Sequence, residues 1–339
     1  MHAEGWAELS DEALLEKRIR QLGLTLHGTP IEKQVQRLHQ ELIDRGQVFL
    51  PPCHIGDEWF CPVGIPAIFI PFFLVHDRLR RLERKMMLEV EGDTDEAFMK
   101  LMRHEAAHAY SYAYLLHQRP EWQEHFGQPS DEESPECYRP RPYSRSFVIH
   151  LDDWYAQSHP DEDFAETFAV WLTPGEDWRA RYRGWKALRK VEFVDELMRS
   201  IAGQLPVHQP KFRPADYDCL NQKLKTYYAR KRKLYEDTYP DFYDADLQTL
   251  FAPPAPEEAR RKASDYLRAH RRQILNTISR WTKERRYPVH RLLNRLIARC
   301  DALGLRVRAE DPGLQFEVAS YITCLVMNYL FTGKFKRTK

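Results

Sequence analysis

Long hydrophobic runs are missing from this sequence. Its two most apolar stretches, 63–75 and 318–331, are too short and too interrupted to span a bilayer, so no membrane segment is expected. Net charge is nearly absent as well. There are 51 Lys and Arg against 50 Asp and Glu, which leaves +1, and no overall field selects nucleic acid or a membrane surface. Paired cysteines are also lacking. The six cysteines are scattered without a Cys-x-x-Cys spacing, a usage that suits reduced, mostly buried thiols in a cytoplasmic protein. Cys53-His54 with Cys61 comes nearest to a second metal cluster, but no fourth ligand is evident. The opening residues Met1-His2-Ala3-Glu4-Gly5-Trp6 do not have the basic-then-apolar layout of a signal peptide, which again points to the cytoplasm. What remains is an ordinary globular composition, 43% hydrophobic and 30% charged over 339 residues, enough for one large domain or two smaller ones.

What the sequence does have is Arg103-His104-Glu105-Ala106-Ala107-His108, a His-Glu-x-x-His pattern inside a segment expected to be helical from about Asp95 to His117. Residues four apart stack on one helix face, so His104 and His108 can aim two imidazoles at one metal ion. Glu105 lies about 100° round the helix from His104, placed to take a proton from a bound water. This is the zincin signature, two ligands and a general base in five residues. Phe98, Leu101, Met102, Ala106, Ala109 and Tyr110 give the helix its buried side, and Asp93 with Glu96 is expected to cap it.

A second helix is expected from Pro160 to about Leu172, with acidic residues in its first turn and Thr173-Pro174-Gly175 ending it. Phe164, Phe168 and Leu172 form an apolar stripe. Glu162 and Glu166, four apart, form a neighbouring one, while Asp163 and Thr167 are expected to face solvent. A carboxylate pair on a helix packed against a His-Glu-x-x-His helix has a specific use. One member completes a His₂Glu zinc site, and the other accepts the second ring N–H of a ligand histidine.

These two segments resemble the gluzincin metallopeptidases, in which the third ligand is a glutamate on a downstream helix. The segment from His159 to Glu166 is similar to that of bacterial zinc-binding metallopeptidases with a His-Pro-x-Glu-Asp-Phe-Ala-Glu pattern. It also resembles the catalytic domain of anthrax lethal factor. The resemblance covers roughly Trp59 to Leu172. It implies one catalytic Zn²⁺, with Glu162 as the ligand and Glu166 as the partner of a zinc-bound histidine. It also implies that Tyr155, seven residues before the ligand glutamate, assists catalysis; a phenol there can donate to an oxyanion. His159 is a weaker candidate for that task and equally a helix-start residue.

The rest of the chain supplies scaffold. Helices are expected after Ser10, from Pro30 to Arg45 behind a Thr29-Pro30-Ile31-Glu32 capping box, over 79–88, 178–199 and 220–235. Val48-Phe49-Leu50 reads as a short strand, as does 146–151. Residues 65–74 read either as a core strand or, because of Pro66 and Pro71, as an edge strand able to pair with an extended peptide. The Pro253–Pro256 run reads as a linker. The expected organisation is therefore an α+β, helix-rich zincin-like domain with a small sheet over 1–250 (core about 48–200), followed by an all-α module over 257–339. Residues 258–300 carry a net charge of +10. They read as a helical bundle with a basic exterior or as a contact for nucleic acid or an acidic partner. The expected activity is zinc-dependent hydrolysis of peptide bonds in a protein or peptide substrate. The alternatives are a non-proteolytic zinc scaffold and a nucleic-acid-binding protein acting through the basic helices.

Overall fold

The computed structural model describes residues 4–129, 141, 143–151, 154–210, 218–233, 243–253, 261–308 and 313–332. The chain divides into two compact units, Met1–Met86 with Val90–Tyr228, and Met87–Glu89 with Ala229–Lys339. It is helix-rich, and the described residues contain one small sheet of two parallel strands. No helix among them is long and apolar enough to cross a membrane.

The first unit runs α1 (Asp11–Leu15), α2 (Pro30–Asp44), β1 (Cys53–Gly56), β2 (Ile68–Pro71), α3 (Asp77–Met87), α4 (Asp95–Ala113), α5 (Pro120–Phe126), α6 (Pro160–Leu172), α7 (Trp178–Arg181), α8 (Ala187–Ser200) and the start of α9 (Leu224–Lys233). Several starts differ from those expected, for local hydrogen-bonding reasons. Thr94, not Asp93, caps α4 by accepting from the Ala97 N–H at 3.2 Å, because Asp93 is held by Arg84. The capping box at Thr29 does not form, since the Thr29 hydroxyl donates to the Leu26 carbonyl and Glu32 accepts from the Gly28 N–H. The helix expected over 178–199 is two helices, α7 and α8, parted by Gly184 at φ 80°.

The sheet sits one step later than the apolar runs suggested. Residues 48–50 are not a strand. The Phe49 carbonyl accepts from the Tyr110 hydroxyl at 2.6 Å, and pairing begins only past Pro51-Pro52, at Cys53. Cys53 pairs with Ile68, and the register ends at Gly56 opposite Pro71. A Cβ on Gly56 would lie 2.9 Å from the Phe69 Cβ, so this close approach requires glycine. β2 is wholly buried and bonded on both sides, parallel to β1 and through an antiparallel bridge between Phe69 and Phe60. The edge-strand reading of 65–74 therefore fails. Pro66 precedes the strand and Pro71 ends it, so neither breaks the ladder, and β1 is the half-buried outer member of the pair.

α4 and α6 pack face to face and form the centre of the unit. Across this contact His104 and His108 meet Glu162, His104 meets Glu166, and the apolar residues of both helices are essentially inaccessible to water. Tyr110 and Phe168 lie ring against ring at 5.4 Å. α6 is buried on every side from Glu162 to Leu172, which corrects the solvent-facing assignment of Asp163 and Thr167. α8 covers that side. Its Lys190 ammonium pairs with Asp163, and the Thr167 hydroxyl donates to the Asp163 carbonyl at 2.6 Å.

In the second unit, α10 (Asp244–Leu250), α11 (Ala263–Thr282), α12 (Arg286–Ala302) and α13 (Leu314–Thr332) share one apolar core. Leu267, Ile274 and Ile278 of α11 meet Leu292, Leu293, Leu296 and Ile297 of α12. Tyr243, Leu247 and Phe251 belong to the same core, so the packing boundary lies ahead of the proline run rather than at it. Residues 254–260, which hold most of that run, lie outside the described residues. The composition of α13 suits burial all round, yet it inserts Val318, Ile322 and Val326 and leaves Phe316 77% exposed.

One ion pair ties the metal-motif helix to the scaffold. The Arg103 guanidinium, next to His104, donates to both Glu41 oxygens of α2 at 2.7 and 2.8 Å, and both residues are buried. Removing one partner strands a buried charge. Glu41→Ala is expected to lower unfolding stability by about 3 kcal/mol in urea titration, and Glu41→Met with Arg103→Met to restore most of it. A single-variant loss under about 1 kcal/mol would show the pair to be solvated.

Candidate metal centre

One turn of α4 separates His104 from His108, and their Nε2 atoms face each other at 3.2 Å. The first turn of α6 brings in Glu162, whose Oε2 lies 2.9 Å from Nε2 of His104 and 3.4 Å from Nε2 of His108. Three donor atoms from two helices thus form a small triangle. A tetrahedral cation with bonds of about 2.0–2.1 Å needs ligand–ligand edges of about 3.3 Å, which these separations match. Among the described residues this is the one group of histidines, cysteines and carboxylates so arranged.

Two features show that a cation suits the triangle. The 2.9 Å contact of Glu162 Oε2 lies outside hydrogen-bond geometry, so this inaccessible oxygen has no donor. Two facing imidazole nitrogens also repel unless a proton or a metal sits between their lone pairs. The local field favours positive charge. Burial opposes an imidazolium at His104, but Glu162 and Glu166 outweigh it and hold that group well above the ordinary histidine range. His108 shifts the same way, with burial overcome by Glu162. Burial would raise Glu162, yet His108 and His104 hold its carboxyl below the usual carboxylate range.

Glu166, expected beside one of the two histidines, lies against His104. Its Oε1 lies 2.9 Å from Nδ1 of His104, and its Oε2 accepts from the Leu151 N–H at 2.7 Å. Glu166 is 1% exposed, so the imidazole is fixed with Nε2 towards Glu162 and His108. The segment 146–151, expected as a strand, is irregular because its backbone bonds to side chains. The Ile149 N–H donates to the Tyr182 hydroxyl and the Leu151 N–H to Glu166. His150 lies alongside, bonded through Nε2 to the Lys100 carbonyl at 3.0 Å. Its burial pulls it down to about 4, so it stays neutral near Glu166. Sequence reasoning gave His150 no role, and no periodicity marks it.

Glu105 is buried on α4 beside the triangle and contributes no atom to it. Burial raises its carboxyl above the usual range, against the pull of His104 and His108. A carboxylate shifted that way is a better proton acceptor. Tyr155 opens a 3₁₀ turn, its ring centre 5.6 Å from that of His104, and it is 38% exposed. The turn is set by Trp154 in the left-handed region at φ 58°. That backbone is costly for a bulky residue and holds only where packing imposes it. His159 caps α6, its Nδ1 accepting from the Asp161 N–H at 3.1 Å, which is its helix-start role. Cys53 and Cys61 form no cluster with His54; their thiols lie near the carbonyls of Pro51 and Ile65. A recess of about 410 Å³ lined by Arg37, Lys100, Arg103, His150 and Arg181 contains no residue of the triangle.

No family model, curated protein or solved structure matches this chain. Function must therefore be read from the chemistry of the residues alone, beginning with a buried His104-His108-Glu162 group able to hold one metal ion.

Glu166→Ala is expected to weaken metal binding about 10–100-fold in a competitive chelator titration, with the far-UV circular dichroism unchanged. Metal binding should also fall with acidification. The raised groups at His104 and His108 make protons compete from above the ordinary histidine value of about 6.5 downwards. Affinity that stays flat from about pH 8 to 6 would contradict the assignment of these ligands.

Proposed function

We propose that the chain is a zinc-dependent metallopeptidase of the gluzincin type. The observation that carries this reading is the triangle of His104, His108 and Glu162 beside a buried, uncoordinated Glu105 on the same helix. Two nitrogens and one carboxylate oxygen suit zinc better than the all-oxygen surroundings preferred by calcium or magnesium. Three protein ligands, rather than four, match catalytic zinc sites and leave a position for water or substrate. When bound, zinc supplies a water acidified towards about pH 7 and a Lewis acid for the scissile carbonyl.

The chain's own residues then divide the work. Glu105 takes the proton as water attacks the peptide carbonyl and delivers it to the leaving amine. Glu166, anchored by the Leu151 N–H, keeps His104 in one tautomer and one orientation. The Tyr155 hydroxyl donates to the developing oxyanion, and its partial exposure beside His104 leaves room for a substrate. Cys53, Cys61, Cys300 and Cys324 are unpaired, which supports a reducing, cytoplasmic setting.

The decisive comparison is wild type against Glu105→Gln. The variant should bind zinc with a stoichiometry like that of wild type and lose about 10²–10⁴-fold in cleavage of a mixed peptide pool, read by mass spectrometry. Tyr155→Phe should lower kcat by about 10²-fold with KM little changed. Wild-type turnover by Glu105→Gln would overturn the mechanism, and zinc binding without any cleavage by wild type would leave a non-proteolytic zinc scaffold.

A further inference from the structure

Ile149, His150 and Leu151 form no strand, yet each of the three is bonded to a different helix. The Ile149 N–H donates at 3.1 Å to the hydroxyl of Tyr182, the residue that ends α7, and the Ile149 carbonyl accepts from the Arg181 guanidinium of α7 at 2.8 Å. The Leu151 N–H donates to Oε2 of Glu166 on α6 at 2.7 Å. Between these two, Nε2 of His150 lies 3.0 Å from the Lys100 carbonyl of α4. A carbonyl oxygen can only accept, so His150 carries a proton on Nε2 and donates it.

The Lys100 carbonyl has a second donor. It stands four residues before His104, and inside an α-helix that carbonyl accepts from the His104 backbone N–H. One oxygen with two lone pairs can take both. A circuit of hydrogen bonds therefore closes on His104. It runs from the His104 backbone to the Lys100 carbonyl, to the His150 ring and along the chain to the Leu151 N–H. From there it passes through Oε2 and Oε1 of Glu166 and returns to Nδ1 of the His104 ring. The three links between elements are 3.0, 2.7 and 2.9 Å long. The anchors of Ile149 lie on α7 and do not fix the segment against α4. Without the His150 link, the Leu151 N–H loses its set position on Glu166, and the carboxylate that orients His104 is free to turn.

We propose that His150 is a positioning residue of the metal centre. By tying its segment to α4 at the turn that carries His104, it holds the Leu151 N–H on Glu166 and keeps the His104 imidazole aimed at the metal. It touches neither the metal nor a substrate. This role rests on the metal centre read above and not on peptide cleavage, so metal binding reads it directly.

The test is the Zn²⁺ affinity of the full chain, measured by competition with a chromophoric chelator. His150→Phe keeps a ring and removes the donor, and it strands no acceptor because the His104 N–H still bonds to the Lys100 carbonyl. It should weaken Zn²⁺ binding about tenfold, the low end for an outer partner of a metal-bound histidine. His150→Asn, whose amide stops short of the carbonyl, should do the same and serves where the Phe variant does not fold. His150→Gln, whose amide reaches about as far as Nε2, should recover most of the loss. In a Glu166→Ala background, His150→Phe should change nothing further, since it acts through Glu166. A merely structural role would take the same amount from both backgrounds. In the metal-free protein, hydrogen exchange at the Leu151 amide should be about tenfold faster in the Phe variant and close to wild type in the Gln variant. Unchanged affinity in the folded Phe or Asn variant, an equal loss with and without Glu166, or unaltered Leu151 exchange overturns the role given to His150 and leaves the metal centre standing. Failure of wild type to bind Zn²⁺ overturns the metal centre, and this role with it.

Discussion

Three electron-donating atoms meet where water cannot easily reach them. Nε2 of His104, Nε2 of His108 and Oε2 of Glu162 lie 2.9–3.4 Å apart, and the oxygen has no hydrogen-bond donor. Such a cluster is unfavourable unless a positive charge sits among the lone pairs. The first unit holds it together with packing around it. α4 packs on α6, with Tyr110 against Phe168, and Phe164 of α6 packs on Trp122 and Phe126 of α5. Beyond the cluster, Arg103–Glu41 and Lys190–Asp163 anchor the same two helices outward to α2 and α8. Rigid anchoring matters because ligand atoms must stay within a few tenths of an ångström of their working positions.

Periodicity carried the placement of the side chains that the two helices bring together. Four-residue spacing put His104 above His108 and Glu162 above Glu166, since the pitch of a helix leaves little choice. It could not choose the histidine that Glu166 serves, because that depends on how two helices cross. Nor could it find the Leu151 N–H that holds the other oxygen of Glu166, which comes from an irregular segment. Asp163 and Thr167 were misassigned for a related reason. Polar residues opposite an apolar stripe read as solvated, and only the packing of α8 showed that Lys190 and a carbonyl already wait for them. Prolines misled at β2, where they flank the strand instead of marking an edge. In the second unit the helical stripes located the core, but the proline run drew the boundary too late, because Tyr243, Leu247 and Phe251 pack with α11, α12 and α13.

Four acids near the centre share much the same chemistry and do different things, and their partners decide which. Glu162 meets two imidazole nitrogens, is pulled below the ordinary range and stays charged, which suits a ligand. Glu166 spends both oxygens, one on Nδ1 of His104 and one on the Leu151 N–H, so neither is left for a metal. Asp163 faces away from the triangle towards Lys190, and burial still pushes it up to about 7. Glu105 alone lies beside the triangle without joining it, and its burial raises its affinity for a proton. A ligand must give up its proton to the metal, whereas a base must be able to take one back. Glu162 and Glu105 are shifted in opposite directions, and the proposed division of labour, one carboxylate as metal ligand and the other as proton carrier, draws on that difference.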